Sequence, residues 1–138
     1  MRRKVWVYNP RKGKRTISDQ TKNQIQLVCD QFIEEYLRPR FVRPFDPKNK
    51  TMPQCIDIRW KWYRHFIHFM ARYKDTRRDV IEEEYDYPIA RLEYTHEDLF
   101  YLAYFRHTGE WSDMMYDKGN SLEECLGMIR ELPHFEIL

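Results

Sequence analysis

The sequence predicts an α+β domain: a five-stranded antiparallel sheet, flanked in the chain by an N-terminal and a C-terminal helix packed on one of its faces. Two observations predict it. Apolar residues recur at intervals of three and four through Ile25, Val28, Cys29, Phe32, Ile33, Tyr36 and Leu37, and again through Leu122, Cys125, Leu126, Ile129 and Leu132, which marks an amphipathic helix at each end. Between them the period drops to two, with Ile56, Ile58, Trp60 and Trp62 on one face and Asp57, Arg59 and Lys61 on the other. No repeat or low-complexity segment interrupts this order, so the strands read as one sheet. With both helices on one side, the second face is left at least partly open. A chain of 138 residues is one ordinary domain, long enough to bury about two-thirds of the surface its unfolded form exposes.

In chain order, residues 1–17 read as a basic arm. Val5-Trp6-Val7-Tyr8 suits a short edge strand, and Pro10-Arg11-Lys12-Gly13-Lys14-Arg15 is unlikely to fold alone. The single α+β domain then spans 18–138. The first helix starts near Ser18 or Thr21, where Thr21 and Gln24 have capping-box spacing. Pro39 is expected to end it, and the proline-punctuated stretch to Pro53 to be a loop. A hairpin follows. A reversal at Tyr63-Arg64 would set Trp60 opposite Ile67, Lys61 opposite Phe66, Arg59 opposite His68 and Asp57 opposite Met70. The remaining strands are expected near 85–95, 99–106 and 111–116, with Pro88 at an edge or bulge because it lacks a ladder N–H. Ser121 with Glu124 forms a capping box for the last helix.

Charge is divided along the chain. Residues 1–78 carry 20 Lys/Arg against 7 Asp/Glu, and residues 79–138 carry 4 against 15, so a formal net charge of +2 hides two opposed halves. The basic half suits nucleic acid or an acidic partner; the acidic half keeps the chain soluble or pairs back onto it. Cys29, Cys55 and Cys125 are odd in number and widely separated, which argues against a disulfide framework or a cysteine zinc site and fits a reducing, cytoplasmic setting. Nothing reads as a membrane segment. No phosphate-binding glycine loop, nucleophile elbow or Cys/His nucleophile pattern is present, and no cofactor is implied.

The segments Trp6-Val7-Tyr8-Asn9-Pro10, Leu37-Arg38-Pro39-Arg40, Ala90-Arg91-Leu92-Glu93-Tyr94, Arg106-His107-Thr108-Gly109-Glu110-Trp111 and Ser121-Leu122-Glu123-Glu124-Cys125-Leu126 together resemble a family of small bacterial domains of unknown function. The resemblance implies a bacterial or phage origin and a stand-alone domain. It implies no activity. Where members of that family tend to carry a second aromatic after the Trp of the Gly-x-Trp segment, this chain has Ser112.

The leading functional expectation is a non-enzymatic module contacting nucleic acid, single-stranded or RNA rather than duplex. The outward hairpin face would supply Arg59, Lys61, Arg64, His68 and Arg72 for phosphates and Phe66 for stacking, and the arm would add Arg2, Arg3, Lys4, Arg11, Lys12, Lys14 and Arg15 without one acid. A protein-binding subunit of a larger assembly, or a chain that self-associates, is the second reading. The third is a hydrolase using Glu93 and His107. At the hairpin tip, Arg106 is expected to lie over Trp111 and His107 to face Glu110, an arrangement read as structural before catalytic. His65 and His68, three apart on a strand, are expected on opposite faces and so cannot share a metal.

Overall fold

A computed structural model describes residues 17–95, 98–114 and 119–135. Residues 1–16 of the arm, including its expected edge strand, lie outside the described residues, while Ile17 packs against the core. Ser18 caps α1 (Asp19–Phe32) by accepting from the Thr21 backbone N–H. The cap is therefore Ser18, three residues ahead of the expected Thr21 box. The helix also runs on past its expected stop, through a π-helical turn, Ile33–Leu37, into α2 (Arg38–Phe41). Pro39 is accommodated because it has no N–H to place and because the preceding turn is wide, with the Arg38 N–H bonding the Ile33 carbonyl five residues back. That widening relieves the clash a proline ring makes in a regular helix interior.

The sheet follows as β1 (Gln54–Tyr63), β2 (Phe66–Lys74), β3 (Glu84–Tyr94), β4 (Phe100–Phe105) and β5 (Trp111–Asp113), antiparallel and in sequential order. The observed register sets Trp60 opposite Phe69, Lys61 opposite His68, Arg59 opposite Met70 and Asp57 opposite Arg72. It differs from the expected one by two residues, because the chain reverses at Arg64-His65 instead of Tyr63-Arg64. Arg64 takes the positive φ of 55° that such a tight turn demands. Pro88 sits as expected at a bulge, where Ile89 is the extra residue between the pairs Phe69–Ala90 and Met70–Pro88. The β4–β5 loop closes with an Arg106 carbonyl accepting from the Gly109 N–H, and Gly109 at φ +88° returns the chain to the ladder.

One face of the sheet carries the core. Ile58, Ile67, Phe69, Ala71, Ala90, Leu92 and Leu102 are fully buried against Ile25, Cys29, Phe32 and Leu37 of the first helical segment and Cys125, Leu126 and Ile129 of α3 (Leu122–Glu131). Phe32 packs edge-on against Phe69 at 5.9 Å. Trp60 is only half-buried, its indole N–H donating to Asp30 of α1 at 2.7 Å. α3 opens with the expected reciprocal box between Ser121 and Glu124. Burial pushes the Cys29 and Cys125 thiols up to about 12, so both remain protonated packing groups. Among the described residues no helix is long and apolar enough to cross a membrane.

Candidate nucleic-acid interface

The outward side of the hairpin is the accessible part of the second face, since on β4 the outward Tyr101 and Ala103 are buried. Alternation and register place Arg59, Lys61 and Tyr63 of β1 beside Phe66, His68, Met70 and Arg72 of β2. Six of the expected site residues, Arg59, Lys61, Arg64, Phe66, His68 and Arg72, are thus brought together on one hairpin. The seven cations of the arm lie outside the described residues.

The fold spends part of this charge on itself. β3 runs beside β2 in a register that lays Asp86 opposite Arg72 and Glu84 opposite Lys74. Arg59 grips Asp86 with one guanidinium nitrogen at 3.0 and 3.1 Å from the two oxygens, and Arg72 lies 3.4 Å from Asp86 and 3.6 Å from Glu84. Lys74 approaches Glu83 at 3.8 Å. The acidic segment therefore answers the basic hairpin within the same molecule. At the β1 edge, Asp57 is turned away from the outward face and accepts from Arg38 at 3.0 Å. Lys61 and Arg64 differ: both are exposed, and neither has a carboxylate within ion-pair distance among the described residues. They flank the exposed Tyr63, over whose ring Arg64 lies at 5.5 Å.

At the centre of the face stands Arg91, opposite His68, its guanidinium 4.8 Å from the Phe66 ring and 4.9 Å from Trp111. Phe66 is thus one wall of a cation–π sandwich, further tilted against His65 at 4.2 Å, and its face is not an open platform. The ring left accessible to a ligand at this end is Tyr63. His68 is held below its ordinary pKa by burial first and then by the positive charges of Arg91 and Lys61. Lys61, Tyr63, His68, Met70, Asp86 and Pro88 enclose a shallow depression of about 200 Å³.

The hydrolase pair is not assembled. Glu93 bonds His65 at 3.1 Å, and both side chains are largely buried under the turn. His107 instead lines a second cavity at the far end of β2 and β3. Trp111 receives Arg91 in place of the expected Arg106, whose backbone N–H bonds Glu110; the reversal at 106–110 makes Phe105 the residue opposite Trp111. His65 sits in the turn, in ring contact with Phe66, so it approaches the outward face instead of opposing His68. No cluster of three metal-ligating side chains occurs among the described residues.

Sequence reasoning missed Arg91 and Tyr63. Arg91 was legible as the one cation pointing outward between inward Ala90 and Leu92. Tyr63 was hidden by its placement in the turn.

A family model described as "Domain of unknown function (DUF3024)" matches residues 17–136, and the chain belongs to that family. Neither a curated protein nor a solved structure matches it.

Proposed function

We propose that this DUF3024 domain is a non-enzymatic binding module that holds single-stranded nucleic acid against the outward tip of its β1–β2 hairpin. One observation carries the reading. Lys61 and Arg64 are exposed cations with no carboxylate partner among the described residues; Lys61 lines a depression with the rings of Tyr63 and His68, and Arg64 lies over the Tyr63 ring. Phosphates need such cations, and a base needs a ring on which to lie. The positive charges of Arg91 and Lys61 beside His68 favour an anion at the same place. The seven arm cations supply further non-specific attraction. Duplex DNA fits less well: the surface of the first helical segment presents Asp30, Glu34 and Glu35, which repel phosphates in a major groove.

Binding of a labelled single strand by the full chain, followed by fluorescence anisotropy across a salt series, tests the reading. Lys61→Ala and Arg64→Ala should each weaken binding at every sequence and reduce the salt slope by about one counterion. Arg59→Ala should act differently, because it leaves Asp86 less compensated beside the depression. A chain that retains an acidic protein partner at low salt and ignores the oligonucleotide would instead establish the protein-binding reading of the same face.

A further inference from the structure

A cavity of about 510 Å³ lies away from Lys61 and Arg64, where β2 and β3 run beyond the bulge at Ile89. Tyr73, Tyr85, Tyr87, Phe105, His107 and His134 supply its rings, and Met52 with Pro53 closes one side. Among the described residues no carboxylate, ammonium or guanidinium lines it. Tyr73 and Tyr85 stack at 5.8 Å and 22°, while Tyr87 stands edge-on to Tyr73 at 6.3 Å and to Phe105 at 5.8 Å. The result is a stacked pair of rings with a third set across it. Burial pushes the Tyr73 phenol up to about 12 and raises that of Tyr85, so both stay neutral.

Ring contacts also join this cavity to the hairpin face. Tyr63 meets His68 at 6.2 Å, His68 meets Trp111 at 5.8 Å, Trp111 meets Phe105 at 5.2 Å, and Phe105 meets Tyr87. An occupant suited to this lining is uncharged and flat, with hydrogen-bonding groups around its edge. A purely aliphatic ligand offers the phenols of Tyr85 and Tyr87 and the two imidazoles no hydrogen bond, and a charged one finds no counter-charge among the described lining residues.

We infer that the cavity takes the base of a nucleotide, a neutral heteroaromatic ring stacking on the tyrosines while phenol and imidazole groups meet its edge. The inference rests on the strand-binding reading for its choice of a base over other flat rings. Its test is built to fail separately. Free nucleosides, which carry no phosphate, are titrated into the isotope-labelled full chain and followed by NMR, alongside N-acetyltryptophanamide as a mimic of a protein side chain. Tyr87→Leu is the variant of choice because Tyr87 is 44% exposed; circular dichroism checks that the fold is retained.

The expected result is that nucleosides shift amides around Tyr73, Tyr85 and Tyr87. Tyr87→Leu should abolish those shifts and weaken single-strand binding about tenfold with an unchanged salt slope, the loss expected of a removed stacking partner. If the oligonucleotide binds, but nucleosides leave the cavity unshifted and Tyr87→Leu binds it normally, the inference is overturned and the hairpin reading stands. Nucleoside binding without oligonucleotide binding supports the cavity and removes the hairpin reading. A preference for N-acetyltryptophanamide overturns the inference in favour of a peptide site.

Discussion

Replacing Arg91 by methionine removes the charge at the centre of the outward face while keeping most of the apolar stem. The side chain is 24% exposed and lies between Phe66 and Trp111 at 4.8 and 4.9 Å. Each cation–π contact contributes about 0.5–1 kcal/mol when exposed and about 2 when desolvated. Partial burial puts this pair between those limits, near 2 kcal/mol in all. The Asp113 carboxylate, 4.0 Å away, adds a fraction of a kcal/mol. Arg91→Met should therefore lower stability by about 2 kcal/mol in urea unfolding, with a fall of roughly 6–10 °C in Tm for a chain of this size. The same change removes one of the two cations opposing protonation of His68, so its pKa should rise toward the ordinary value in an NMR titration. A loss below about 0.5 kcal/mol with His68 unmoved would refute the reasoning, since it would show that Arg91 neither cements the rings nor sets the local potential.

Three further outcomes are expected. Phe69, fully buried and edge-on to Phe32, should cost about 3–5 kcal/mol on truncation to alanine, read by chemical unfolding. Asp86→Asn releases Arg59 and Arg72 from their shared carboxylate, so single-strand affinity should rise and its salt dependence steepen; unchanged binding would show that these arginines do not face the ligand. His68 titrates lower in the folded chain than in the unfolded one, so on acidification the unfolded chain takes up this proton first. Its contribution to stability is thus intact above about pH 6.5 and declines as the pH falls through and below that value, and His68→Asn should flatten that part of the stability–pH profile.

Element order and the identity of the core face were legible because hydrophobic period reports which side of a helix or strand is buried. Register was not. A slip of two residues leaves every side chain of the hairpin on the same face, so alternation alone cannot separate a reversal at Tyr63-Arg64 from one at Arg64-His65. The decisive feature is that Arg64 adopts φ 55°, a conformation the residue type does not advertise. Pro39 misled for a related reason, since the π turn that accommodates it leaves no mark on the apolar stripe. At the candidate site, residue types were readable and their charge balance was not. Arg59 meets Asp86 across 27 positions of sequence, and this pairing depends on β3 lying beside β2. The same long-range placement put Arg91, and not the nearby Arg106, over Trp111.

A short unlabelled single strand titrated into the isotope-labelled full chain at low ionic strength, with the amide shifts mapped, tests whether the hairpin tip binds nucleic acid. Shifts should concentrate at Lys61, Tyr63, Arg64 and His68, the His68 pKa should rise as phosphate approaches, and the complex should be lost as salt is raised. Absence of binding at low ionic strength, or shifts confined to the helical side of the sheet, would contradict binding at the tip.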